Sequence, residues 1–155
     1  MTYNLIDYKS KYNKLYDKCN LSGKALETVR VDGDALQFVE NQTKDICLAA
    51  LKQNGWAFQY VKNKTEELCL FAADRDGYNL QFIKNQTREN CLAAVRNRGY
   101  SLQFVRKQTE EICIAAVEQN GLVLALVKIQ TEKICLAAIN QNIVALNFVD
   151  PKFFK

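Results

Sequence analysis

The chain has 155 residues, 48% of them apolar and 25% charged, with a net charge of +4 and no histidine. That is the composition of an ordinary globular domain. No apolar run approaches the roughly eighteen residues of a spanning helix, and the N-terminus lacks the basic, apolar and small-residue order of a signal peptide. An intracellular, cytoplasmic location is therefore expected. The charge excess is peripheral: residues 1–24 carry five Lys against two Asp, whereas residues 25–149 carry 14 basic and 14 acidic side chains. A surface that tracks a phosphate backbone has a clustered basic excess, so nucleic acid is disfavoured as a partner.

In chain order, the first feature is a Lys-rich segment over residues 1–24. Leu5, Tyr8, Tyr12, Leu15, Tyr16 and Cys19 recur at the spacing of a single apolar helix face. This segment does not match the rest of the chain and is expected to be a capping helix, which repeat arrays need to cover their first interface. Cys19 stands outside the pattern of the other cysteines and is expected to be the more accessible thiol.

From Ala25 onward the chain repeats every 22 residues, with cysteines at 47, 69, 91, 113 and 135. A fixed period of this length means stacked copies of one supersecondary unit. The longer segment of each copy starts at Thr43, Thr65, Thr87, Thr109 or Thr131. Thr is a natural N-cap, and the acidic residues beside it, such as Glu66, Glu67, Glu110 and Glu111, complement the helix dipole. Apolar positions 112, 113, 116 and 117 form a helical stripe. Gly55, Gly77, Gly99 and Gly121 fit the left-handed residue that ends a helix. The shorter segments, 57–62, 79–84 and 101–106, suit a strand or a short helix. The leucine-rich-repeat order is absent and two helices of about seven and eleven residues fill the period, so the helix is preferred. Asp150-Pro151 ends the last copy. The expected fold is an all-α, αα-hairpin solenoid of about six repeats over 25–149, with the capping helix before it and a tail over 150–155, in one domain.

The side chains point away from catalysis. Six thiols invite a disulfide or a metal site, but equivalent positions on stacked helices lie about 8–10 Å apart, beyond the reach of a disulfide. Zinc needs four convergent ligands. The ladder cysteines are read as small core hydrophobes. Without histidine a Cys or Ser nucleophile lacks its usual base, and no phosphate-binding or dinucleotide-binding glycine motif occurs. No cofactor, metal or catalytic residue is expected. Four Asn-x-Ser/Thr matches, at Asn20, Asn41, Asn63 and Asn85, mostly restate the repeat junction.

Two ladders remain as candidate partner-binding residues. Trp56, Tyr78, Tyr100 and Leu122 each follow a repeat glycine, and large apolar side chains of this kind make hot spots, although such a residue commonly packs back on its own helix. Lys62, Lys84, Arg106 and Lys128 form a basic stripe that either contacts an acidic partner or complements helix dipoles.

The unit Leu-Gln-Phe-Val-Lys/Arg-x-Gln-Thr-x-x-Ile-Cys-Leu-Ala-Ala-Val-x-x-Asn-Gly resembles an uncharacterised repeat domain, known only as a domain of unknown function. That domain is abundant in giant DNA viruses of amoebae and occurs in some bacteria and protists. The resemblance covers about residues 25–149. It implies a helical repeat of viral or microbial origin and brings no activity to carry over. The expected function is a non-enzymatic protein–protein interaction scaffold with a protein partner and no membrane contact. Nucleic-acid binding through the Lys/Arg stripe is the alternative, and self-assembly, including an end-to-end dimer, a further one.

Overall fold

The computed structural model describes residues 5–20 and 23–154, with side chains over 11–20 and 23–153. Every regular element among the described residues is helical, so the fold is the all-α repeat that the 22-residue period predicts. The chain divides into two compact units, Met1–Lys64 and Thr65–Lys155. Both are built from one alternation, an α-helix followed by a six-residue 3-10 helix.

Unit 1 contains α1 (Leu5–Asn20), α2 (Ala25–Val31), the 3-10 helix η1 (Gly33–Phe38), α3 (Lys44–Gln53) and η2 (Gly55–Tyr60). Helix α1 packs on α2 and η1, and so covers the first repeat. Leu5 and Tyr8 of its expected apolar face lie outside the described side chains. Tyr12 sets its ring edge-on to Phe38, with centroids 4.6 Å apart, and Leu15 and Tyr16 are half-buried. Cys19, expected to be accessible, is instead 4% exposed. It lies on the side of α1 that faces the repeats, and burial pushes its thiol pKa up.

Asn20 stands one period before Gln42 and does the same work. Its amide donates to the Tyr16 carbonyl at 3.0 Å and the Phe38 carbonyl at 2.6 Å, while its side-chain oxygen accepts from the Glu40 amide at 2.9 Å. The terminal helix is thus in phase with the repeat at this one residue.

Unit 2 contains α4 (Glu66–Arg75), η3 (Gly77–Phe82), α5 (Arg88–Asn97), η4 (Gly99–Phe104), α6 (Glu110–Gln119), η5 (Gly121–Leu126), α7 (Glu132–Gln141), η6 (Ile143–Phe148) and η7 (Pro151–Phe154). Successive α-helices pack side by side, as do successive 3-10 helices, so each repeat touches its neighbour along both layers. In both units the local signals act as expected. Thr43, Thr65, Thr87, Thr109 and Thr131 each accept the amide three residues on, at 3.3–3.4 Å. Such a cap contributes about 1 kcal/mol.

The shorter segments are helical, but 3-10 rather than α. Asp32, Asn54, Asp76, Asn120 and Asn142 start them by accepting the amide two residues on, an Asx turn that sets a tight first loop. Arg98 holds the same place without such a bond. Leu80, Leu102 and Leu124 are buried within these helices, and the extended residues that follow them, Ile83, Val105 and Val127, are buried too, each donating its amide to that leucine's carbonyl at 3.1 Å. Burying each such side chain is worth about 1.5–3 kcal/mol.

The repeat glycines work differently from the expectation. The α-helices end on extended residues, Asn54, Asp76, Arg98, Asn120 and Asn142, and Gly23 alone among the described glycines has a positive φ, of 66°. The glycine then opens the 3-10 helix at a crowded point. A Cβ at Gly77 would stand 2.3 Å from the Ala94 carbonyl oxygen, at Gly99 2.7 Å from that of Ala116, and at Gly121 2.4 Å from that of Ala138. In unit 1, Gly33 approaches Ala50 in the same way, at 2.7 Å. Close approach to the next repeat, not a left-handed turn, is what requires glycine here.

Side-chain amides at two positions of the period bridge to a neighbouring copy, except where Lys64 and Arg75 take their places. Gln86 donates to the Leu80 and Phe104 carbonyls, at 3.4 and 2.8 Å, and accepts from the Arg106 amide at 3.0 Å. Gln108 repeats this with Leu102, Leu126 and Lys128, and Gln42 does so in unit 1 with Leu36, Tyr60 and Lys62. At the other end of the α-helix, Gln119 and Gln141 accept the Gly99 and Gly121 amides, and Asn97 accepts that of Gly77. These bonds satisfy the backbone groups that short helices leave unpaired.

Candidate interaction surface

The ladder cysteines belong to the core of this arrangement. Cys47, Cys69, Cys91, Cys113 and Cys135 are 2–6% exposed and carry no disulfide. Cys91, Cys113 and Cys135 point their sulfurs at the oxygen of Gln86, Gln108 and Gln130, at 3.8, 3.8 and 3.5 Å. A thiol is a weak donor there. Burial raises the pKa values of Cys91, Cys113 and Cys135, that of Cys113 to about 11. A thiol held neutral in this way is a poor nucleophile.

In unit 1, Trp56 is 40% exposed, and the Lys62 ammonium is turned back onto the Val39 and Glu40 carbonyls at 3.1 and 3.0 Å. In unit 2, Tyr100 is 42% exposed, while Tyr78 and Leu122 are half-buried. Tyr78 lies edge-on to Phe104, centroids 5.9 Å apart, and under the Arg98 guanidinium at 5.0 Å. Arg98 in turn pairs with Asp76 at 3.2 Å. Arg106 donates to the Lys84 carbonyl, so its head group, like that of Lys62, caps the end of the preceding 3-10 helix. Lys84 and Lys128 are exposed. The basic stripe is therefore partly engaged with backbone.

A third row is not marked by either ladder. The residue after each ladder cysteine is Leu48, Leu70, Leu92, Ile114 or Leu136. In unit 2, Leu70 is 42% and Leu136 52% exposed, whereas Leu92 is buried and Ile114 half-buried. The core stripe of α6, at 112, 113, 116 and 117, does not need this position. An unbroken apolar identity off the buried stripe was the available signal.

Between α4 and α5 the row forms the floor of an open groove of about 460 Å³, lined by Leu70, Leu92 and Ala93 with Asp74, Arg88, Glu89 and Arg96 at its rim. Charges at the helix starts link adjacent copies. Arg88 holds Glu111, with its Nε 2.7 Å from the carboxylate, and Lys133 reaches Glu110 at 3.7 Å. The Arg88 guanidinium lowers the pKa of the Glu111 carboxyl through their hydrogen bond, and Glu111 raises that of Arg88. The groove is thus apolar below and of mixed charge above. No group of three or more metal-ligating side chains occurs among the described residues, and no helix among them is long and apolar enough to cross a membrane.

Short α and 3-10 helices alternating on a 22-residue period, joined by Gln and Asn bridges, define a helical-repeat protein. The family model described as Domain of unknown function (DUF4116) matches twice, over residues 24–64 and 65–109. Those matches span more than half of the chain, which belongs to that family. No curated protein and no solved structure matches it.

Proposed function

We propose that the chain is a non-enzymatic protein–protein interaction scaffold whose contact surface in unit 2 is the α-helical face bearing Leu70, Leu92, Ile114 and Leu136. The observation that carries this reading is the groove between α4 and α5, where exposed Leu70 lies beside buried Leu92 under a rim of mixed charge. Exposed apolar side chains such as Leu70 and Leu136 lower solubility, and such patches mark association sites. The occupant is a segment of a partner protein with one or two large apolar side chains for the floor and both signs of charge for Asp74 and Arg96, since Arg88 is already paired with Glu111 and Glu89. In the viral or microbial setting that the family resemblance implies, the partner is a host-cell protein and the location the cytoplasm.

Nucleic-acid binding through Lys62, Lys84, Arg106 and Lys128 is the less favoured reading, since Lys62 and Arg106 are occupied with carbonyls. The test is affinity capture from host cells, followed by rebinding of the purified captured protein to wild-type, Leu70→Asp and Arg96→Glu chains. Binding weakened at least tenfold in both variants, with unchanged circular dichroism, supports the proposal. Equal binding by all three, or a salt-sensitive gel shift with DNA or RNA in place of protein binding, overturns it.

A further inference from the structure

The last repeat of unit 2 departs from the others at the residue that sets the spacing between copies. Ile143 occupies the place of Gly77, Gly99 and Gly121. At those glycines a Cβ would meet the alanine carbonyl of the next copy at 2.3–2.7 Å. A further repeat in the same register therefore has no room over Ile143, whose branched side chain begins where that carbonyl would sit. Yet the face is not made polar to compensate. Leu146 is 44% exposed, whereas its counterparts Leu80, Leu102 and Leu124 are at 0%, and around it Ile143, Val144 and Phe148 are 68%, 50% and 41% exposed.

We propose that this end face binds the same face of a second copy about a twofold axis. Three observations select a second copy. The segment from Asn142 to Val149 carries no charge, and an isologous contact sets each patch against itself, an arrangement that like charges would oppose. The nearest charges beyond it, Lys152 and Asp150, neutralise each other at 3.1 Å. Head-to-tail stacking needs an open first repeat, and in unit 1 that repeat is covered by α1, whose Asn20 already holds the Phe38 carbonyl and the Glu40 amide. A twofold contact uses the face twice and closes, with no second surface needed. It shares no residue with the α-helical groove, so the two proposals fail separately.

The experiment is analytical ultracentrifugation of the full chain over a wide concentration range. A monomer–dimer equilibrium that saturates at two chains is expected. Val144→Lys and Leu146→Asp, both at exposed positions, are each expected to abolish the dimer while leaving the far-ultraviolet circular dichroism unchanged. If Leu146→Asp fails to fold, Val144→Lys decides. Mixing Val144→Lys with Val144→Asp is expected to restore a dimer. A wild-type chain that stays monomeric, assembly that grows beyond two chains, or a dimer that persists in the variants overturns the proposal.

Discussion

The side-chain oxygen of Gln108 accepts the backbone amide of Lys128, one copy further along the chain, at 2.9 Å. The amide nitrogen of the same side chain donates to Leu102 in its own copy, at 3.4 Å, and to Leu126 in the next, at 3.1 Å. One neutral residue thus satisfies backbone groups at the ends of two 3-10 helices. Because both donor and acceptor are used, an apolar residue of similar size cannot replace it, and Lys64, at the equivalent place in its own copy, can only donate, to the Val61 carbonyl at 2.6 Å.

Gln108→Leu is accordingly expected to lower stability by about 1–3 kcal/mol, the cost of leaving part-buried backbone groups unpaired. Gln103→Ala is the control, since Gln103 is exposed and bonds only to Tyr100 of its own 3-10 helix. Its effect should stay within about 0.5 kcal/mol, as for ordinary surface positions. Urea denaturation midpoints of the two variants measure the difference.

Glycine substitutions separate close approach from backbone strain. Gly77→Ala brings a methyl group against the Ala94 carbonyl and should cost about 1–3 kcal/mol by overpacking. Gly23 has nothing within 4 Å of the added Cβ and a φ of 66°, so Gly23→Ala meets only the left-handed penalty of about 1–2 kcal/mol. Gly23→Asn, which tolerates that conformation, should recover most of it, whereas Gly77→Asn should be at least as damaging as Gly77→Ala. Thermal unfolding of the four variants checks the contrast.

Asn90 is 1% exposed at the position where Leu68, Ile112 and Ile134 fill the core, and its side-chain oxygen has no hydrogen-bond partner. Its backbone amide, not its side chain, receives the Thr87 cap. Asn90→Ile therefore keeps the cap, removes an unsatisfied polar atom and adds apolar burial. It should raise stability by about 1–3 kcal/mol, read from the denaturation midpoint at an unchanged m-value.

The buried thiols predict a loss of stability in alkali. Burial pushes Cys113 from an ordinary value of 9.0 up to about 11. Above pH 9 the unfolded chain releases this proton while the folded one retains it, so stability falls as pH rises. The contribution is fully present below pH 9 and gone once the folded thiol ionises near 11. Cys113→Ala should flatten that part of the pH–stability curve. A curve of unchanged slope would remove the thiol as its cause.

Much of the fold was legible in the residues. Thr87 and Thr109 marked helix starts, and the glycine before Tyr78 or Tyr100 marked where one segment ends. The 3-10 geometry was not, because six residues such as Gly-Tyr-Ser-Leu-Gln-Phe bury the same side chains in a short α-turn. The Asx turn at Asp76 or Asn120, and bonds spanning three residues such as that from the Val105 amide to the Leu102 carbonyl, separate the two. Cys19 was misread because its burial comes from α2 and η1 packing against α1, a contact between segments that share no pattern. At the candidate surface, the basic stripe was visible in the sequence, but the return of Lys62 and Arg106 to neighbouring carbonyls was not.

The sequence by itself determined the repeat length, the helical class and the helix starts, since caps, dipole partners and apolar periodicity act over a few residues along the chain. Tertiary structure alone decided what the glycines and the glutamines mean. Each of these acts across about twenty residues, on the neighbouring copy: a missing Cβ makes room for a carbonyl of the next repeat, and an amide pairs with backbone at i+18 and i+20. Composition names such residues. Only the distance between copies shows whether they bring two surfaces together or hold them apart.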